Sequence, residues 1–217
     1  MALLQVALLT GQPAENQQFA AVDAAVQEGI DAGLYPGAVV VAGRRDSLIY
    51  ARGYGRLTWS SAADAPDPDS TIWDIASLTK VVATASAAMR LADAGRLALD
   101  SAVVRYLPRF QGAGKRQVTV RMLLDHTSGL PPYKPLYRRA RTRRAAIGLL
   151  YREPLQHTPG DPAVYSDLNA MLLGLVVEKV AGRSLADVAS SEVFRPLEMR
   201  RTMYKPAARL NRWIAPS

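Results

Sequence analysis

Trp73-Asp74-Ile75-Ala76-Ser77-Leu78-Thr79-Lys80 is where the apolar pattern of this chain changes period. Before it, short β-branched runs sit between turn residues. After it, apolar residues recur at spacings of three and four, the mark of amphipathic helices. The switch places Ser77 and Lys80 one helical turn apart at the start of a helix predicted over residues 77–94, with Val81, Val82, Ala85, Ala88, Met89 and Ala92 as its apolar residues and Gly95 as its stop.

Serine is a preferred helix N-cap, and Ser-x-x-Glu would make an ordinary capping box. Here the third helical position is Lys80, whose cation opposes the positive helix N-terminus. The same field, with partial burial among Ile75, Val81 and Val82, disfavours the ammonium form and predicts a lowered lysine pKa. An amine neutral near physiological pH can take a proton from a hydroxyl one turn away. By chance, 13 Ser and 5 Lys in 217 residues supply roughly 0.3 Ser-x-x-Lys matches, so the pair alone is a weak signal.

Upstream, residues 17–34 read as an amphipathic helix through Phe19, Val22, Val26 and Ile30. Two short runs, 38–42 and 48–52, flank the polar Arg44-Arg45-Asp46-Ser47 turn and read as a β-hairpin, followed by a loop over 60–70. Downstream, helices are predicted over 120–125, 142–151 and 185–194. Another is marked by a stripe of Leu168, Met171, Leu172, Leu175, Val176 and Val180 ending at Gly182. The fold class is therefore α+β. Residues 1–74 hold the helix and hairpin of an α/β part, 75–194 a helical domain, and 195–217 the start of a return to the α/β part.

The apolar fraction of 49% and charged fraction of 21% are those of a globular chain. Without cysteine there is no disulfide and no thiolate nucleophile. His126 and His157 fall in separate loops, so no metal site and no cofactor are expected. No apolar run reaches membrane-spanning length, and MALLQVALLT at residues 1–10 lacks the basic start of a signal peptide. Of the net charge of +8, +7 arises in one acid-free stretch, 134–152, containing Lys134, Arg138, Arg139, Arg141, Arg143, Arg144 and Arg152. No nucleic-acid module accompanies it, so it reads as a solvated surface and no nucleic-acid partner is expected.

Tyr165-Ser166-Asp167 is the other motif, 88 residues beyond Ser77. Ser166 or Asp167 could simply cap the following helix, with Tyr165 a packed aromatic beside it. The order of landmarks adds to this. Trp73 to Lys80, Leu123-Leu124-Asp125-His126-Thr127-Ser128-Gly129-Leu130, Pro159-Gly160 before Tyr165-Ser166-Asp167, and Pro196-Leu197-Glu198-Met199 with Thr202-Met203 together resemble the serine β-lactamase and penicillin-binding-protein-like superfamily, in its class C and esterase-like branch. The resemblance runs from about Leu34 to Pro216.

It implies a β-lactamase/transpeptidase-like fold: a helical domain plus an incomplete α/β domain with an antiparallel sheet. It also implies a serine hydrolase acting on an ester, a β-lactam or a D-Ala-D-Ala-type peptide, in an extracytoplasmic setting. By resemblance Ser77 matches the acylated nucleophile and Lys80 its proton partner. Tyr165 matches the residue that moves a proton to the leaving group and activates the deacylating water. Asp167 stands where the pattern usually has Asn and would favour a cationic Lys80, which leaves the division of base work between Lys80 and Tyr165 open. His126 is implied to be structural, and Ser128 matches no second nucleophile.

The family's third motif, Lys-Thr-Gly or His-x-Gly, does not follow Tyr165 in these 217 residues. The expectation is a chain truncated before that strand, weakly active alone and self-associating through an unpaired sheet edge. The competing functional reading is a non-catalytic binding or scaffold protein that retains the fold.

Overall fold

The computed structural model describes residues 18–216. The apolar start read at residues 1–10 lies outside the described residues. Two units are distinguished: Met1–Asp74 with Pro206–Ser217, and Ile75–Lys205.

In the first unit, helix α1 (Ala20–Asp31) is followed by strands β1 (Gly37–Arg44) and β2 (Ser47–Gly55). They pair antiparallel from Gly37↔Gly55 to Arg44↔Ser47, with a bulge between Ala42 and Gly43. Among the described residues the sheet has these two strands. A bare hairpin is marginal in water, and here α1 packs against it. Phe19 stacks on Tyr50 at 4.3 Å between ring centroids. Asp23 accepts hydrogen bonds from Tyr50, from Tyr54 (2.6 Å) and from Arg52 (2.8 Å). These donors, Tyr50 first, hold the Asp23 carboxyl below the usual carboxylate range. The loop after the hairpin crosses Gly53 closely enough that a Cβ there would lie 1.8 Å from the Pro66 carbonyl oxygen. Ile72 then bridges to Ile214 in parallel.

The second unit is helical. Ala76–Leu78 is a 3₁₀ turn, Lys80–Ala85 is a π-helical segment, and α2 (Ser86–Asp93) continues it. This differs from the single helix expected over 77–94. Each i→i+5 bond delays the turn by one residue, so a face predicted at 3.6-residue spacing is displaced. Ala83, Thr84, Ala87, Ala88 and Leu91 are buried, whereas Val81 and Met89 are exposed. Short helices α3 (Val103–Tyr106), α4 (Val120–Leu124) and α5 (Leu136–Arg139) precede α6 (Arg143–Arg152). Thr119 caps α4 and Thr142 caps α6, each accepting from the amide three residues on.

Helix α7 (Asp167–Ala181) runs through the core. Ser166 caps its start, and Gly182, at φ +70°, ends it in the left-handed conformation that glycine adopts without strain. Its buried residues are Leu168, Asn169, Leu172, Leu173, Gly174, Val176 and Val177. The stripe expected through Met171, Leu175 and Val180 is thus turned toward Leu173 and Val177. Met171 is exposed, and Leu175 and Val180 are half-buried. Helix α8 (Leu185–Ala189), capped by Ser184, passes into a second π-helical segment, Ser190–Phe194. Phe110, Leu123, Leu130, Leu168 and Leu172 are fully buried together, each worth roughly 1.5–3 kcal/mol of burial before conformational entropy is counted. Lys115 is buried beside them. Its ammonium donates to the Tyr151 carbonyl (2.6 Å) and sits over the Phe110 ring, and burial pushes its pKa down.

Part of the basic stretch is engaged within this unit. Lys134 pairs with Glu153 at 3.0 Å and Arg143 with Glu178.

Candidate active site

Ser77 lies mid-way in the 3₁₀ turn that opens the Ser77–Lys80 segment, and it is exposed. Ala76 before it has φ +43°, a conformation a non-glycine residue adopts at a cost. That turn aims the Ser77 side chain back toward Lys80, whose Nζ donates to Ser77 Oγ at 3.0 Å. The same ammonium meets Asp167 Oδ1 at 2.7 Å and lies 4.9 Å from the centroid of the Tyr165 ring. The first turns of two helical segments, 88 residues apart, therefore present Ser77, Lys80, Tyr165 and Asp167 to one another.

The charge state of Lys80 is decided by competition. Burial would push its pKa down, as expected from the sequence. The Asp167 carboxylate and then the Tyr165 hydroxyl outweigh burial, and the net direction is up. The expectation of a lowered Lys80 pKa is thus corrected: a neighbouring carboxylate at contact distance outweighs partial desolvation and the helix field. Tyr165 moves the other way. Its hydrogen-bonding relation to Lys80, then to Ser77, lowers its pKa.

A buried polar scaffold fixes Tyr165 and Asp167 from behind. Ser166, fully buried, donates its hydroxyl to the Pro131 carbonyl (2.7 Å), and the Asp167 amide donates to the Pro132 carbonyl (2.8 Å). His126 Nδ1 accepts from the Ser166 amide at 3.2 Å and from Asn169 Nδ2 at 3.3 Å. Two donors on Nδ1 require the neutral tautomer with its proton on Nε2. Burial, and then Lys80, lower the His126 pKa in the same direction. The imidazole packs against the Tyr165 ring, centroids 4.9 Å apart. Ser128, also buried, donates to Asn169 Oδ1.

His126 and Ser128 are thus occupied in holding the tyrosine–aspartate turn. Gly129 closes this platform at φ +81°, where a Cβ would lie 2.2 Å from the His157 carbonyl oxygen. Asn169 was not singled out by the sequence reading. Its signal was a polar residue within the apolar run of a core helix. Replacing Asn169 by Ala removes the acceptor of the buried Ser128 hydroxyl proton and the amide that meets His126 Nδ1. This is expected to lower stability by about 1–3 kcal/mol in urea titration.

A cavity of about 600 Å³ opens beside Ser77, Lys80 and Asp167 and continues between α6 and α7. Among the described residues no group of three or more His, Cys, Asp or Glu is placed to hold a metal ion, and no helix is long and apolar enough to cross a membrane.

A family model described as Beta-lactamase matches residues 22–215. A protein of Bacillus subtilis (strain 168) named N-acetylmuramyl-L-alanine amidase is 33% identical over 216 residues, 89% of this chain and 49% of its own length. Among solved structures, EstCE1, a hydrolase with promiscuous acyltransferase activity, superposes with a TM-score of 0.81 at 29% identity, covering 95% of this chain and 57% of that one. A class C beta lactamase superposes with a TM-score of 0.83 at 24% identity, covering 94% and 56%. The chain spans about half the length of the curated relatives it matches.

Proposed function

The chain belongs to the Beta-lactamase family and has the α+β, β-lactamase/transpeptidase-like fold; on that premise we propose that it is a serine hydrolase forming an acyl-enzyme on Ser77. The observation that carries this reading is the contact of Lys80 Nζ with both Ser77 Oγ (3.0 Å) and Asp167 Oδ1 (2.7 Å), with Tyr165 alongside.

The resting charges divide the work. Lys80, held as ammonium by Asp167, donates to Ser77 Oγ, so the serine hydroxyl proton is free to point to Tyr165. Tyr165, with its pKa lowered, takes that proton as Ser77 Oγ bonds to the carbonyl carbon of the acyl donor. The tetrahedral adduct collapses, the bond to the leaving group breaks, and Tyr165 returns the proton to the departing oxygen or nitrogen. In deacylation Tyr165 takes a proton from water, the hydroxide adds to the acyl carbon, and Ser77 Oγ leaves with the proton restored. Lys80 remains cationic throughout and stabilises the phenolate. Candidate acyl donors are an ester, a β-lactam or a D-Ala-D-Ala-type peptide.

The test is covalent labelling with a fluorescent fluorophosphonate and a fluorescent penicillin. We expect the wild-type chain to be labelled and Ser77→Ala to be blank. Equal labelling of Ser77→Ala, or none of the folded wild type by either probe, contradicts the reading.

The charge assignment also fixes a pH dependence. Asp167 raises the Lys80 pKa most strongly after burial is offset, and it also raises that of Tyr165. In Asp167→Asn both move down. The rising limb of acylation rate against pH, which follows loss of a proton from the Tyr165–Lys80 pair, is therefore expected at lower pH than in wild type. A limb that stays in place or moves up counts against it.

A further inference from the structure

One face of helix α7 lines a cavity that starts at the nucleophile. Ala170, Met171, Gly174 and Leu175 follow Asp167 at helical spacing and line the 600 Å³ cavity that also touches Ser77 and Lys80. From Asp167 to Glu178 the helix rises about 16 Å. The facing wall is Leu136, Ala146, Ile147 and Leu150, from α5 and α6. Between the polar ends the remaining wall includes Leu185 and two groups bearing hydroxyls, Thr84 and Tyr204. The far end is marked by the Arg143–Glu178 ion pair.

Three features fit this cavity to one ligand. It is long and apolar rather than round. Its volume lies within the ~300–1,000 Å³ typical of small-molecule sites. It begins at the serine and ends in charge, so it accepts a chain of limited length anchored at a carbonyl. Tyr165 does not line it and is itself exposed. A carbonyl attacked by Ser77 carries its two substituents in divergent directions. With Tyr165 serving the leaving group on the open side, the acyl substituent is directed into the cavity.

We propose that the cavity between α6 and α7 is an acyl-chain site, and that the acyl donors of this chain are medium-chain fatty acyl esters of about eight to twelve carbons, matched to the ~16 Å that separates its polar ends, Asp167 and Glu178, along α7. The proposal rests on the serine-hydrolase reading above. The covalent step is the one already written: the Ser77 Oγ–acyl bond forms, the acyl–alkoxide bond breaks, and the alcohol leaves with the serine proton.

Two measurements separate the chain site from the chemistry. In Ser77→Ala, calorimetric titration with decanoate and butyrate reads the cavity without catalysis. Decanoate is expected to bind about tenfold or more tightly, each buried methylene being worth up to about fourfold. In the wild type, acylation rates with p-nitrophenyl acetate and octanoate are compared. The octanoyl rate is expected to be about tenfold or more above the acetyl rate. Ile147→Trp, filling the middle of the channel, should cut both ratios about tenfold, and Leu175→Phe serves where the tryptophan variant fails to fold. Decanoate binding no tighter than butyrate, or acetyl and octanoyl rates that are both measurable and equal, or ratios unmoved in both variants, overturns the site. Chain-length-dependent binding without any acylation of Ser77 by either ester upholds the site and contradicts the serine-hydrolase reading instead.

Discussion

Replacing Tyr165 with Phe is expected to slow acylation by an activated ester about 10²–10⁴-fold, read from the nitrophenolate burst. The change removes one oxygen, and with it the hydroxyl whose relation to Lys80 and Ser77 moves its protonation toward the base form. Lys80 is moved the other way, toward its protonated form. The structural cost is small because Tyr165 is 57% exposed and its ring contact with His126 survives in phenylalanine. Unfolding free energy should stay within about 0.5 kcal/mol of wild type. A fall in activity matched by a fall in stability would point to a packing role; a loss below about tenfold would move the base work elsewhere.

Lys80→Ala is expected to be comparably damaging, again about 10²–10⁴-fold, for a different reason. Lys80 is read as the cation that holds Ser77 Oγ in place and draws Tyr165 toward phenolate. Removing it takes away the largest cause of the lowered Tyr165 pKa, so Tyr165 loses its proton only at higher pH. The residual activity should keep a rising limb, displaced upward in pH. Were Lys80 itself the base, the limb would vanish instead of moving. The direction is opposite to that expected for Asp167→Asn, and the two variants together distinguish a cation that tunes a phenol from an amine that accepts a proton.

What could be read before folding depended on the sequence distance of each interaction. Ser77 and Lys80 are three residues apart, so a helical turn suffices to join them. The Lys80–Asp167 contact spans most of a domain, and nothing in local spacing predicts it; it entered through resemblance to a family. The sign of the Lys80 shift was read wrongly from local features, because helix field and burial are visible in a short window and a distant carboxylate is not. Helix existence was likewise legible and helix register was not. The π-helical segment at Lys80–Ala85 and the turned face of α7 redirect Val81, Met89 and Met171 away from the core that 3.6-residue spacing assigned them. For Met171 that redirection supplies part of the wall of a cavity. Four-residue helices such as α3 and α5 carry too little periodicity to register in a sequence. Asn169 was hidden for the reverse reason: its partners Ser128 and His126 lie some forty residues away.

The central claim is that Ser77 carries the acyl group. The most direct measurement is mass spectrometry of the chain quenched in acid after exposure to p-nitrophenyl octanoate, followed by peptide mapping. The account predicts one added octanoyl group per chain, on Ser77, absent from Ser77→Ala and slowed in Tyr165→Phe. An octanoyl group on Ser128, on Lys80 or on any other residue, with Ser77 unmodified in the folded chain, would contradict it.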